Sequence, residues 1–506
     1  MWGVLFLVRV ALFTWGSPWR VYPNSFSWGE VEYRVLDESL SGSSPLYCSR
    51  TTLWPVCAFY NPDLAVIMVL DSVAFDVSFD NYEALKHHVE SVFREFLDRL
   101  GGSPCRDVRF VVLPATGVFE SQRLDGHTQR SLRLELCGSM GDFYHLAYLE
   151  LSGLLVDIVE PRDGVEIILD VSHGVNYMPV LVYRAVRDIL EAIAGVIGNV
   201  KFKVVNSEPF REECKTCKTE ECKTVNIHVV EYTALKPHIT FKFTFTDRSK
   251  FRTRLLKLGE ECVKSEEEKR EVGRAISERS DRLLELFKGS LLDVAAFASS
   301  IENGMPLLTI TTLPSLPSLK DYVEKVLSAY RSFTEVKAGT GPNELRVRRL
   351  AKLDPVVTEI ARALLVAELL RKKYGSIEEA SLKDVKRLGD VYSESLRERI
   401  SFDILAIARS IASKPYICDD SYHSLSEIMG EEDCSYIERE RDRFRRNILA
   451  HSGLERCVTQ IRCPKDLAEK LKARQGEVKL VIEEEAERVK LKYDESKLET
   501  VKKTVV

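Results

Sequence analysis

Short apolar runs alternate with amphipathic stretches through the first half of the chain. The runs at 4–13, 64–70, 110–113, 165–171 and 200–205 are β-branched or strongly apolar throughout. Strands buried on both faces of a sheet carry this pattern. Between them, 81–100, 142–159 and 176–197 place apolar residues at helical spacing. In the last of these Val180, Leu181, Ala185, Val186, Ile189, Leu190 and Ile193 form one stripe. Such alternation predicts a mostly parallel sheet covered by helices on both faces. The alternating runs 226–232 and 239–246, with Pro237 and His238 between them, predict an antiparallel hairpin at the sheet's edge.

Beyond residue 247 the strand pattern gives way to helices. The spacing predicts helices over 266–287, 320–336, 355–374, 381–412 and 438–451. Asp354 caps the third, Pro355 occupies its first turn and Gly375 closes it. Ser381 and Asp384 make a Ser-x-x-Asp box at the start of the fourth. Near the end, 478–482 and 489–493 read as a small hairpin. The expected organisation is an α/β domain over 1–246, a helical linker region over 247–350 and an α-helical domain over 351–506.

Composition narrows the class. The 506 residues are 45% hydrophobic and 29% charged, which is globular and excludes a fibrous or fully disordered chain. With 72 Lys and Arg against 77 Asp and Glu, the net charge of −5 argues against indiscriminate nucleic-acid binding but leaves room for a local basic site. No apolar run is long enough for a membrane span. The segment from Trp2 to Phe13 is interrupted by Arg9 and lacks a cleavage site, so it reads as a buried first strand and the protein as cytoplasmic. Twelve cysteines scattered over this length do not read as a disulfide framework. Cys214, Cys217 and Cys222, with His228 beyond, have one Cys-x-x-Cys spacing that could grip zinc, but no second pair. A charged loop carrying thiols or one local disulfide is the simpler reading, and no metal is expected.

Two places carry candidate chemistry. In an open parallel sheet ligands bind beyond the carboxyl ends of the strands. Thr14, Trp15, Gly16 and Ser17 follow the first strand; Ser172, His173, Gly174, Asn176 and Tyr177 follow the fourth. A helix starting at Asn176 would aim free backbone N–H groups at a phosphate. Trp15 and Tyr177 offer flat faces for a base, and Ser139 opens a third helix beside them. Neither a dinucleotide glycine fingerprint nor a P-loop is present.

The second place is the run from Arg439 to Arg446, which leads into Asn447 and His451. Asn447 and His451 lie four apart on a helix and share a face. Gly453 stops the helix just past His451, where the dipole favours a protonated imidazole. An imidazole, a guanidinium and an amide suit RNA cleavage, in which the substrate's own 2′-hydroxyl attacks, His451 moves a proton and Arg446 stabilises charge. On spacing alone, a salt-bridged helix face ending in a histidine is the simpler reading.

Together these regions resemble the CRISPR-associated CARF–HEPN ribonucleases of type III systems. The runs Thr14-Trp15-Gly16-Ser17-Pro18 and Asp170-Val171-Ser172-His173-Gly174-Val175-Asn176-Tyr177-Met178-Pro179 look like the ligand-facing strand ends of the CARF domain. The run from Arg446 to His451 looks like the HEPN Arg-x4-His motif, and Asn303-Gly304-Met305-Pro306-Leu307 resembles a segment between the domains. The resemblance implies a Rossmann-like CARF domain followed by an α-helical HEPN domain. It also implies a homodimer or higher homo-oligomer, activated by a cyclic oligoadenylate, that cuts single-stranded RNA without a metal; the two-fold symmetry of a dimer favours an even ring, cyclic tetra-adenylate or cyclic hexa-adenylate. The long insert between Leu113 and Asp142 and the thiol-rich loop depart from the family pattern. A CARF-type sensor whose helices at 266–300 act as a regulator is the rival reading, and His451 discriminates the two.

Overall fold

The computed structural model describes residues 7–39, 44–161, 164–209, 224–236, 239–375, 377, 379–430 and 433–506. The candidate thiol cluster at Cys214, Cys217 and Cys222, and the connection at Pro237 and His238, lie outside them. The chain forms two compact units. The first comprises Met1–Lys236, Arg254–Leu283 and Leu319–Ala361; the second comprises Pro237–Thr253, Leu284–Ser318 and Arg362–Val506.

The first unit is built on a sheet. Its strands are β1 (Leu7–Trp15), β2 (Val31–Leu36), β3 (Tyr47–Ser49), β4 (Leu64–Leu70), β5 (Val108–Leu113), β6 (Gly117–Asp125), β7 (Thr128–Cys137), β8 (Gly164–His173), β9 (Val200–Ser207), β10 (Val225–Ala234), β11 (Thr334–Ala338) and β12 (Glu344–Arg349). Among the described residues the main sheet has eight strands in the order β3-β2-β10-β9-β8-β1-β4-β5. The five from β9 to β5 are all parallel. Every residue of β4 is buried, as a central parallel strand requires. Helices α1 (Tyr82–Arg99), α2 (Met140–Ile158) and α3 (Tyr177–Ile197) supply the crossovers. The buried stripe of α3 runs through Met178, Val182, Ala185, Val186 and Ile189; Val180, expected in it, is exposed.

The expected edge hairpin does not form. Strand β10 pairs antiparallel with β9 and parallel with β2, so it lies inside the sheet. Residues 239–245 are extended but belong to no strand. The insert between Leu113 and Asp142 is the hairpin β6–β7. It joins a second sheet, β11-β12-β7-β6, in which β12 runs parallel to β7. The segment 247–350 is therefore not wholly helical. Its expected helix at 320–336 ends at Arg331 because Thr334–Ala338 pairs with β12.

A charged cluster closes this unit. Arg349 and Asp71 form a salt bridge, both side chains being almost completely buried. The guanidinium also donates to the carbonyls of Ala115 (2.9 Å) and Cys137 (3.3 Å). Asp71 accepts from Ala115 N at 2.8 Å and from the Tyr82 hydroxyl at 2.9 Å. Nearby, Asp142 accepts from the Tyr330 hydroxyl and from Leu353 N. Burial pushes its carboxyl up to about 6.

The second unit is mainly helical. Its elements include α4 (Leu292–Asn303), α5 (Glu394–Ser413), α6 (Arg441–Ala450) and α7 (Leu498–Val505). The Ser381–Asp384 capping box forms as expected, but the helix it opens stops at Leu388 and α5 begins afresh at Glu394. The expected C-terminal hairpin is absent. Val478–Glu485 is a helix that buries Val481 while Leu480 stays exposed. Lys490–Tyr493 pairs instead with Thr459–Arg462, which also pairs with Tyr422–Ser424.

The cysteines overturn the expectation drawn from chain length. All nine described cysteines are disulfide-bonded. Four bridges join described partners: Cys57–Cys105 and Cys137–Cys262 in the first unit, Cys418–Cys463 and Cys434–Cys457 in the second. Separations of 23 to 125 residues hide these pairs in the sequence, whereas the fold sets their Cα atoms 4.8–5.6 Å apart.

Two outcomes are expected. Arg349→Met strands a buried carboxylate and lowers the unfolding free energy of the first unit by about 3–5 kcal/mol; adding Asp71→Asn restores part of it. Replacing Cys434 and Cys457 together by Ser reopens a loop spanning 23 residues and costs about 3 kcal/mol. Urea unfolding of the non-reduced proteins measures both.

Candidate functional site

The strand order places the first candidate site. From β1 the chain moves outward to β4 and β5 on one side, while β8 and β9 occupy the other. The reversal falls between β1 and β8, and the crevice beyond their carboxyl ends is where open α/β sheets take ligands. Trp15 stands opposite His173 across this point, after a register shift at Phe13. Gly16 N donates to the His173 carbonyl at 2.9 Å, and the Thr14 hydroxyl donates to the Asp170 carbonyl at 3.4 Å. Gly174 is required by this packing: a β-carbon there would stand 2.7 Å from the Thr14 hydroxyl and 3.0 Å from the Pro179 ring. The sequence therefore brings Thr14, Gly16, Ser172, His173 and Gly174 to one edge.

Not every residue keeps its expected role. Trp15 is buried among Trp28, Phe93 and Phe96 and shows no face to a ligand. His173 stacks on Trp28 at 4.7 Å and accepts from Thr52 N at 3.4 Å; burial lowers its pKa, which favours a neutral ring. The Ser172 hydroxyl accepts from Ser207 N at 2.9 Å and ties β8 to β9. Ser139 caps α2 through Gly141 N, and Ser17 holds its own turn at Trp19. Asn176 is exposed, makes no capping bond, and precedes α3, which starts at Tyr177. The Tyr177 ring meets Phe143 edge-on at 5.4 Å.

Buried polar atoms here that lack a hydrogen-bond partner among the described residues include Asp170 Oδ2, Tyr177 Oη, Thr52 Oγ1 and Trp15 Nε1. Burial also pushes the Tyr177 hydroxyl up to about 12. Sequence reasoning missed Thr52 and Trp28, which come from connections with no motif of their own.

The second candidate site lies at the end of α6. His451 is its C-cap residue. Ser452, at φ 51°, and Gly453, at φ 79°, turn the chain away, and Gly453 N returns to the Ile448 carbonyl at 2.8 Å. A β-carbon on Gly453 would meet the Tyr493 hydroxyl at 2.9 Å and Met305 at 3.0 Å. The imidazole is half exposed, and its Nδ1 faces Asp403 Oδ1 at 3.4 Å. That contact raises the His451 pKa above its ordinary value, against the opposing effect of burial. Asp403 sits among Ile400, Ile404, Ile407 and Ile411 on the buried face of α5. A carboxylate at a core position was the available signal, and the sequence reading passed over it. Arg456 and Met429 line the same narrow cleft.

Asn447 donates to the Tyr436 hydroxyl at 3.3 Å. That hydroxyl donates to Glu455 Oε1 at 2.6 Å, and Glu455 also accepts from Cys457 N. The relay fixes the Asn447 amide beside His451. Arg446, one position earlier on α6, is exposed to solvent. The second unit thus assembles an oriented imidazole, a held amide and an exposed guanidinium, a set able to transfer a proton next to a phosphate.

Residues 10–209, from β1 to the end of β9, match the family described as CRISPR system endoribonuclease Csx1, CARF domain. The chain is also 27% identical over 464 residues to the CRISPR system endoribonuclease Csx1 of Methanocaldococcus jannaschii, an alignment covering 88% of this chain and 85% of that protein. The first candidate site lies within the residues that match the CARF domain, and over most of its length the chain is similar to a CRISPR-associated endoribonuclease.

Proposed function

We propose that this protein is an endoribonuclease of type III CRISPR defence, specific for single-stranded RNA and switched on by a cyclic oligoadenylate. The observation that carries the reading is the Asp403–His451 pair at the end of α6, with Arg446 and Asn447 on the adjoining turn. This is the HEPN-type site that the resemblance implies.

The chemistry follows from these groups. The 2′-hydroxyl of the substrate attacks the neighbouring phosphorus and the 5′-oxygen leaves, giving a 2′,3′-cyclic phosphate and a 5′-hydroxyl end. Nothing beyond the RNA itself is consumed, and no metal is needed to make the nucleophile. Asp403 holds the Nδ1–H side of His451, so Nε2 faces the substrate and moves the proton. Arg446 balances the charge that builds on the phosphate. The reaction moves two protons, and one protomer offers one imidazole here. A two-fold dimer supplies the second. Phe402, 70% exposed beside Asp403, and Tyr416, 76% exposed, support a self-association surface in this unit.

The activator is assigned to the β1–β8 crevice. Gly16 and Gly174 let the backbone approach a ring of phosphates, Asn176 and the start of α3 offer donors, and the partnerless Asp170, Tyr177 and Thr52 atoms support a polar ligand there. A ring lying across a dimer axis meets the same contacts twice, which favours four or six adenylates; four is the assignment made here.

Cleavage of a fluorescent single-stranded RNA in EDTA, with and without cyclic tetra-adenylate, tests the reading. The ring is expected to stimulate cutting, and His451→Ala to slow it by about 10²–10⁴-fold. Tight ring binding with no cutting would favour a regulator instead. In the wild type, the raised His451 pKa keeps the imidazole protonated to higher pH. The rate limb that falls as His451 loses its proton therefore moves to lower pH in Asp403→Asn, as a pH–rate profile of both proteins will show.

A further inference from the structure

One cleft of the second unit is unused by the function above. It holds about 810 Å³ and is lined by 239–251, α4, the first half of α6 and α7. Residues 239–245 run extended, and their phenylalanines recur every second position. Phe241, Phe243 and Phe245 face the cleft, while Lys242, Thr244 and Thr246 are exposed. The ring centroids step by 6.3 and 6.1 Å, and the last two rings lie within 12° of parallel. Phe251 closes the row edge-on at 5.5 Å.

Side chains rather than a strand ladder hold this segment. Phe241 N donates to Glu302, and Arg362 donates to the Thr240 carbonyl. The opposite wall is basic. Arg441 and Arg445 come from α6, Lys503 from α7 and Arg248 from the segment itself. Two carboxylate side chains of the lining, Glu302 and Asp442, stand against these four cations, and Lys503 also pairs with Glu499 on its own helix.

Rings in a row beside a cationic wall are the two components of a single-strand nucleic-acid platform: bases stack on the rings, and the cations follow the phosphates. An apolar partner protein would use the rings but would desolvate the cations without bringing them a counter-charge. We propose that this cleft binds single-stranded RNA and holds the nucleotides flanking the scissile one. The inference rests on the ribonuclease reading and extends it. Arg445 precedes His451 by six residues, roughly 9 Å along an ideal helix and about 120° around it. A strand seated on the ladder therefore crosses α6 before it reaches His451, which makes the cleft a flanking subsite and not the cutting site.

The test uses the full-length His451→Ala protein, which retains its RNA, and a fluorescent 12-nucleotide uridine oligomer, with and without cyclic tetra-adenylate. Phe243→Ala with Phe245→Ala is expected to weaken binding at least 5- to 150-fold, the effect of losing one stacked base. Arg441→Gln with Arg445→Gln is expected to flatten the slope of log affinity against log salt by about 1.4. Phe243→Trp keeps a ring in place, and its added emission is expected to be quenched by the oligomer; this variant covers the case in which the alanine protein fails to fold. Unchanged affinity and slope with no quenching overturns the cleft assignment. A changed molecular mass with unchanged RNA affinity overturns it too, and makes the segment a contact between copies of the chain. If the parent binds RNA and the wild type cuts it, either result rejects the cleft alone. A parent that binds no RNA and a wild type that cuts none reject both readings.

Discussion

Arg349 is a full charge placed where water does not reach. A guanidinium there is tolerable only if oxygens stand against its charge, and Asp71 with the carbonyls of Ala115 and Cys137 supplies them to its two terminal nitrogens. Those acceptors come from the ends of β4, β5 and β7. The cation thus fixes where three strands stop, and it does so from a position 278 residues away from Asp71. Glycine at 138 belongs to the same constraint, since a β-carbon there would come within 3.0 Å of the Arg349 side chain. Asp142 and Tyr330 add a second polar contact beside it, so α2 and the helix Leu319–Arg331 meet in one register.

The two candidate sites are built on opposite principles. At the sheet edge, groups are spent on one another: the hydroxyls of Thr14 and Ser172 and the imidazole of His173 all hold neighbouring strands or connections. What remains for a ligand is backbone, the exposed Asn176, and the buried atoms that find no partner. At the end of α6 the cap takes up backbone carbonyls at Asn447 and Ile448, and the side chains are what faces outward. Rigid support comes from behind, through Asp403 for the histidine and through Tyr436 and Glu455 for the asparagine.

Sequence pattern revealed the parallel core because burial on both faces writes a continuous apolar run, as in Leu64–Leu70. Caps were equally legible at Ser381 and Gly375, where local backbone chemistry decides the outcome. Pattern failed where tertiary partners decide. The alternation at 239–246 is that of a strand, yet among the described residues its backbone meets side chains and no neighbouring strand. The run 478–482 fits a strand or a helix, and packing chose the helix. Trp15 looked like a ligand platform because nothing local announces Trp28, Phe93 and Phe96 around it. The disulfides were hidden for the same reason. Their presence also bears on the expected compartment, because bridges of this number persist in oxidising surroundings or in the cytosol of hyperthermophiles.

The parallel pairing of β12 with β7 has a consequence for the order in which the chain is made. Arg346 and Glu135, which pair across that contact, are 211 residues apart. At ordinary ribosomal speeds of ~5–20 residues per second, the outer edge of β7 waits about 10–40 s for its neighbour. Throughout that interval an open strand edge is available to any other extended segment. Charged side chains stand along that waiting edge, with Arg133 and Glu135 exposed, and charges on an open edge are how natural sheets discourage a stranger from pairing before the proper strand arrives.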